Sequence, residues 1–424
     1  MTGTRRRSAA SLWRNRDWLL LWSGQLVSTL GTRVSVLAFP LLGLAVTDSP
    51  AQAGLITAAR GIPSTLLAMP AGALVDRWDR KRTMLVCDLG RAAVLGSVAG
   101  ALLGGSLTLV HLVVAALVEG GLSTFFALAE SACLPRVVPP HQLATAAAAD
   151  QASAASADMV GPAIGGVLFG LGPGIPFLAD ALSYLVSFAS LLGMRTPFQE
   201  ARQAPSGAVA VSLRREVVDG LRWVWRQPLV RFLALLHGGV NLCGFGYMLI
   251  LIVVARQQGA TPVETGLVLG AGGGAAVVGS VLVAPLVRVV GRGWVLVGST
   301  WVLALTWLAY ALAPTPAWLA LANAVACAAI PPYMATQLGF RLASTPDALQ
   351  GRVASVFRVL SYGLQPLSLL LTGVLLERTG AVTTVVVLFL PQVVLAVAAT
   401  LQPALASRGQ QQSAAVNERQ AGVL

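Results

Sequence analysis

Four ionisable residues, Arg33, Arg60, Glu119 and Asp158, stand deep inside long apolar stretches. At a helical rise of about 1.5 Å per residue, each falls near the middle of a stretch long enough to cross a bilayer. A charge at that depth costs at least about 2.5–3.5 kcal/mol even on the lenient insertion scale, so each requires an opposite charge or a wet cavity. The chemistry such groups suit is reversible proton uptake, because burial favours a neutral acid while a neighbouring arginine favours the carboxylate. Asp88, Arg91, Glu130 and Asp150 lie nearer one end of their stretches. Asp88 and Arg91, three residues apart on one helix face, read as a structural pair that Glu130 or Asp150 extends. The second half of the chain offers mainly neutral groups: His237 and Asn241 one turn apart, Asn323, Gln337 and Gln365, with Arg358 the exception. A lone histidine such as His237 reads as a hydrogen bonder in a cavity wall, although its type titrates near neutral pH. With Arg60 these polar residues and Tyr333 make a set of cavity candidates. Phe39, Phe126 and Phe245 join them as apolar walls, and Asp180 reads as a cap or anchor for the turn ahead of its stretch.

The elements that position these groups follow from composition. Of 424 residues, 56% are hydrophobic and 11% charged, with mean hydropathy +0.74. A soluble domain carries about a quarter charged residues, so a soluble enzyme, a disordered chain and a collagen-like chain are excluded. The fold class is an all-α polytopic membrane protein. Apolar runs between short Gly, Pro and polar turns define twelve expected spans, at 18–46, 51–75, 83–104, 107–133, 143–170, 174–194, 228–255, 262–287, 294–313, 317–340, 351–376 and 380–402. The first is too long for a cleaved signal and lacks a small-residue cleavage pattern, so it is a retained span.

Arginine and lysine crowd one alternating set of connections: Arg5, Arg6, Arg7, Arg14 and Arg16, then Arg77 to Arg82, Arg136, Arg195 to Arg226, and Arg288 with Arg292. The other connections are nearly bare, with only Arg256 and Arg378 close to them. That bias predicts both termini on the cytoplasmic side of the cell membrane. The net charge of +12 is therefore a topology signal and not a nucleic-acid footprint. Residues 1–17 form an N-terminal segment, 18–194 a first six-span bundle, 195–227 a cytoplasmic linker, 228–402 a second bundle and 403–424 a tail. Within the linker, Leu213, Val217, Leu221 and Val224 recur opposite Arg214, Arg215, Arg222 and Arg226, describing an amphipathic helix on the inner membrane surface. The tail from Ser407 is expected to be disordered. A weak repeat aligns the halves: PPHQLATAAA with TPDALQGRVA, and GALVDRWDRKR with APLVRVVGRGW, so that Arg80 matches Arg292.

Two motifs go beyond topology. Gly72-Ala-Leu-Val-Asp76-Arg77-Trp-Asp79-Arg80-Lys81-Arg82 sets a close-packing glycine and an acid before a basic cluster at a tight turn. Gly161-Pro162-Ala-Ile-Gly165-Gly166 sets a proline that releases a carbonyl among glycines that admit a neighbouring backbone. Gly266, Gly270 and Gly274 offer a partner stripe in the eighth span. The first motif resembles the loop between the second and third helices of the major facilitator superfamily, with Asp79 where many members carry glycine. The second resembles the fifth-helix pattern of that superfamily's drug/proton antiporters. LPRVVPPHQLATA, FLADALSYLVSFA and LQGRVASVFR look like its branch of macrolide-efflux and enterobactin exporters.

The resemblance implies two pseudo-symmetric six-helix bundles around a central cavity, with the first and fourth helices lining it. Arg33 and Glu119 are then expected to face each other, Glu119 being the first candidate proton carrier and Asp158 the second. Asp76 becomes a gating residue, with Gly72, Arg77, Arg80, Lys81 and Arg82 around it. Activity implied is proton-driven export of a hydrophobic or amphipathic small molecule by a monomer in the bilayer. An inward-working symporter or facilitator is the alternative, and a receptor or membrane enzyme a more distant one. No H-E-x-x-H, no G-x-S-x-G and no Walker loop is present in the sequence. No cofactor, metal or nucleic-acid partner is implied, and Cys87, Cys133, Cys243 and Cys327 read as packing residues.

Overall fold

A computed structural model describes residues 12–196, 198, 213–403 and 405. The N-terminal basic residues Arg5 to Arg7, most of the linker ahead of Leu213 and the tail from Ser407 lie outside the described residues. The helices in chain order are α1 (Arg16–Thr47), α2 (Pro50–Leu66), α3 (Ala68–Val75), α4 (Arg80–Leu103), α5 (Leu109–Val137), α6 (Leu143–Leu171) and α7 (Ile175–Gly193). There follow α8 (Leu213–Arg226), α9 (Pro228–Gly244), α10 (Tyr247–Gln257), α11 (Pro262–Val290), α12 (Arg292–Ala311), α13 (Pro316–Ser344), α14 (Gln350–Arg358) and α15 (Gln365–Thr400). Polar residues ahead of the apolar runs start many of them. Asn15 accepts from Trp18 N–H, Asp79 from Arg82 N–H, and Thr261 with Glu264 makes a capping box for α11.

Helices cover the expected spans, but ten rather than twelve helical stretches among the described residues are long and apolar enough to cross a membrane. The second span is split near Leu67, so α2 and α3 each fall short. The last two are joined in one run, Gln350–Thr400, that bends at Gly380, whose φ of 78° a residue with a Cβ rarely adopts. The internal repeat is structural: short 3-10 turns at Pro140–Gln142 and Asp347–Leu349 precede α6 and α14, and Arg80 and Arg292 each open a helix.

In the first bundle α1 packs on α6 and α7, α4 on α5 and α7, and α2 on α5. In the second, α13 packs on α11 and α12, and α15 on α9 and α12. The halves meet along two seams, α6 with α11 and α2 with α15. Both are backbone-to-backbone contacts that only glycine permits. A Cβ on Gly166 would strike Pro262 O and Gly266 Cα, and one on Gly54 would lie 2.9 Å from Leu369 O and 3.1 Å from Gly373 Cα.

The α8 helix corrects one expectation. Its Val224 is buried in the core of the second bundle, and Gly220 packs on the Arg352 carbonyl of α14. Val224 thus covers protein rather than lipid, while Leu221 and Trp225 stay exposed.

The seam contacts make a test. Gly166→Val forces α6 and α11 apart at a backbone contact that no rotamer relieves, costing the closed seam about 1–3 kcal/mol. Spin labels flanking Asp48 and Arg256, which pair across the two halves, should report a longer inter-label distance in Gly166→Val than in the unsubstituted protein. An unchanged distance distribution would mean that the seam does not hold the halves together.

Candidate functional site

Between the halves lies a cavity of about 520 Å³, walled by Arg60, Glu119 and Thr124 on one side and by Phe245, Tyr247 and Gln365 on the other. At Ala127 it adjoins a second space of about 320 Å³ that reaches Trp22, Glu130 and Asp150. The face rich in arginine and the opposite face differ. On the opposite face Asp48 pairs with Arg256 at 2.9 Å, Arg256 also donates to Leu44 O at 3.4 Å, and Glu377 accepts from the Ser49 hydroxyl and, at 3.0 Å, from Ala51 N–H. These contacts tie the two halves there. On the basic face the Asp76 side chain is 74% exposed and its nearest cation is Arg80 at 4.0 Å, while no atom comes within 4 Å of a Cβ built at Gly72. Among the described residues, the expected contact of Asp76 with the opposite half is therefore not made in this conformation. Arg80 and Lys81 instead donate to Ala132 O and Met194 O, each at 2.7 Å, tying the loop to the ends of α5 and α7.

The mid-depth charges pair differently from the expectation. Arg60, not Arg33, faces Glu119: Nε lies 2.6 Å from Oε2 and Nη2 3.1 Å from Oε1, a two-point clamp. Glu119 is fully buried and also accepts from the Tyr184 hydroxyl at 3.1 Å. Arg33 pairs with Asp158 at 2.6 Å, with both side chains partly exposed. The geometry of small residues explains the exchange. Gly161, one turn on from Asp158, leaves the space that the Arg33 side chain occupies, and Gly120 lets α5 press against the Arg60 carbonyl of α2. The helix-5 motif thus joins α6 to α1 through Gly161 and Gly165, and to α11 through Gly166. In the partner stripe Gly266 and Gly270 meet α6 as expected, but Gly273 rather than Gly274 makes the close approach, against the Asp158 carbonyl.

Asp88 and Arg91 are the structural pair expected, 2.5 Å apart and buried, with the Arg91 guanidinium 4.1 Å over the Tyr184 ring and 4.4 Å over Phe126. Phe126 accordingly lies under that arginine and not in the cavity wall, which Phe39 and Phe245 do line. Asp180 is no cap, since α7 begins at Ile175; it is buried and accepts from Ser35 at 2.5 Å and Ser183 at 3.1 Å. Sequence reading missed Tyr184 and Ser35. The signal was present, because Asp180, Ser183, Tyr184 and Ser187 recur at helical spacing and all four are buried, a polar face turned into the bundle.

In the second half Gln365 is the polar candidate that lines the central cavity, beside Phe245. His237 is buried and lies 2.5 Å from Ser361 and 3.1 Å from Asn241, hydrogen-bonded as expected but away from that wall. Gln337 is buried, Arg358 is exposed, and Asn241 and Tyr333 line a separate pocket within the second bundle.

The profile of the Major Facilitator Superfamily matches residues 21–364. The chain belongs to that superfamily. It is a multi-pass membrane transporter and not an enzyme. It is 30% identical to the multidrug efflux pump Tap of Mycobacterium tuberculosis over 406 residues, covering 92% of this chain and 94% of Tap. With the Tap of Mycolicibacterium fortuitum it shares 28% identity over 91% of this chain and 96% of that one. Its fold overlays that of the nucleoside transporter NupG with a TM-score of 0.71 at 15% identity, over 91% of this chain and 98% of NupG.

The two ion pairs should differ in energy. Arg60→Gln leaves Glu119 buried and uncompensated, a loss of about 3–5 kcal/mol, whereas Arg33→Gln at a half-exposed pair costs about 1 kcal/mol or less. Thermal unfolding of the purified protein should show a large drop for Arg60→Gln, recovered for the most part in Arg60→Gln/Glu119→Gln. Equal effects at Arg60 and Arg33 would refute this assignment of the buried pair.

Proposed function

We propose that the protein exports hydrophobic or amphipathic small molecules from the cytoplasm in exchange for protons. Residues 18–194 and 228–402 act as two bodies that rock about the central cavity, joined by 195–227. The observation that carries this reading is a cavity between two halves, tied on one face, with the carboxylate–arginine pair Glu119–Arg60 in its first-half wall. The arginine-rich face is assigned to the cytoplasm by its charge, which puts both termini inside the cell membrane and makes this conformation inward-facing. Kinship with the Tap pumps supports export over uptake and a drug-like substrate. A single copy encloses the cavity, which favours a monomer as the working unit.

Of the two carboxylates proposed to carry the proton, the geometry favours Asp158. Glu119 is held at two points by Arg60 and by Tyr184, so protonation would break a buried clamp. Asp158 has one short contact, to Arg33, and a side chain about half exposed. It also stands where α6 meets Gly273 of α11, so opening and closing of that seam alters its surroundings directly. Protonation of Asp158 from outside would loosen Arg33 and favour release; loss of the proton inside would restore the pair and the capture of substrate. Glu119 with Arg60 then shapes the field of the cavity. An inward-working symporter or facilitator remains the second reading, since the cavity geometry has no direction of its own.

Asp158→Asn should abolish pH-driven accumulation in reconstituted vesicles while counterflow exchange persists, because the amide keeps size and hydrogen bonding but not charge. If Glu119→Gln alone uncouples, the carrier is Glu119; if neither does, the protein is a facilitator or uses another ion. Asp76→Asn should leave thermal stability near that of the unsubstituted protein and lower transport. Loss of expression with no separable transport defect would mean that Asp76 is structural.

A further inference from the structure

A cavity of about 220 Å³ lies in the second bundle, bounded by α9, α10, α12, α13 and α15. Phe245 and Tyr247 belong to its wall and to that of the central cavity, so the two spaces adjoin at the break between α9 and α10. The lining is aromatic, with Trp307, Tyr310 and Tyr333 joining those two, and no charged side chain takes part. Two of its buried polar groups lack partners among the described residues. Tyr333 is 2% exposed and its hydroxyl makes no hydrogen bond; Gln392 is 1% exposed, and while its Nε2 donates to Val240 O at 3.4 Å, its Oε1 accepts nothing. Buried polar groups left unmatched destabilise a fold, and nearly all find a partner. Here both line one mainly apolar space, in which the other polar side chains Asn241, Thr306 and Asn323 are already hydrogen-bonded.

We propose that this pocket is a binding site for an uncharged aromatic ring system carrying a hydrogen-bond donor, separate from the charged central cavity. Gln392 Oε1 accepts the ligand's donor, the Tyr333 hydroxyl bonds to the same polar group or its neighbour, and the aromatic walls hold the ring. Size sets the occupant. An apolar cavity of about 150 Å³ takes benzene and sites for whole drug-sized molecules measure about 300–1,000 Å³, so this one takes a fused ring pair or the aromatic end of a larger molecule. An organic cation would gain from the aromatic faces but would meet no carboxylate and, if quaternary, would leave both polar groups unmatched. The inference deepens the export reading by naming a substrate class, yet the binding it describes needs no gradient and no transport.

The test is equilibrium binding of tritiated 1-naphthol, a neutral bicycle with one hydroxyl donor, to the purified full-length transporter, with tritiated tetraphenylphosphonium as the charged comparison. Ala326→Phe, which fills the pocket from α13, should weaken 1-naphthol binding about tenfold or more and leave tetraphenylphosphonium binding unchanged. Tyr333→Phe and Gln392→Met should each weaken 1-naphthol binding without emptying the pocket, and they carry the test if Ala326→Phe fails to fold. The proposal is overturned if the folded variants bind 1-naphthol like the unsubstituted protein. It is equally overturned if they lose both ligands together, or lose the cation alone. Loss of 1-naphthol binding in a protein that exports nothing would uphold the pocket and defeat the export reading; export with unaltered 1-naphthol binding in the variants would do the reverse.

Discussion

A charge inside an apolar slab has to find its opposite there, and the first half of this protein is arranged around that need. Arg60 with Glu119, Arg91 with Asp88, and Arg33 with Asp158 are each short contacts between side chains that would be costly alone. Tyr184 stands between two of them, giving its hydroxyl to Glu119 and its ring face to Arg91. Positions of α1, α2, α4, α5, α6 and α7 are therefore tied by polar contacts as well as by packing. Among the described residues the second half shows no such ion-pair network at mid-depth, and its interior is held by aliphatic and aromatic contacts.

That asymmetry distinguishes two bundles that share a fold and a repeat. A bundle lined by neutral aromatic side chains can accept apolar molecules of varied shape, since dispersion and burial make few geometric demands. The seams between the two are built from backbone contacts at Gly54 with Gly373 and Gly166 with Gly266. At those glycines the backbones meet with no side chain between them, which suits contacts that form and break.

The opposite face is closed by exposed groups: Asp48 with Arg256, and Glu377 with Ser49 and Ala51. Exposed pairs of this kind are weak in water. The closed state there is thus held mainly by the glycine seams, with the charges fixing register. The loop motif on the basic face is held to its own bundle by Arg80 and Lys81, leaving Asp76 exposed.

The sequence by itself determined which stretches are apolar helices, which connections are basic, the repeat, and that several charges lie within the apolar stretches. Those are properties along one axis: apolar length, position of arginine, and rise per residue do not depend on neighbours. It did not determine which charges meet. Arg33 and Arg60 have similar depth, and so do Glu119 and Asp158, so depth alone allows either pairing. The choice was made by rotation of each helix about its axis and by which helices touch, and those depend on side-chain volume at facing positions. Gly161 opened the space for Arg33 beside Asp158, and Gly120 brought α5 against Arg60. For the same reason Val224 of α8 covers α14 rather than lipid, and Tyr333 faces a pocket of its own: an amphipathic or aromatic position declares that a surface will be covered, and only the packed structure decides by what.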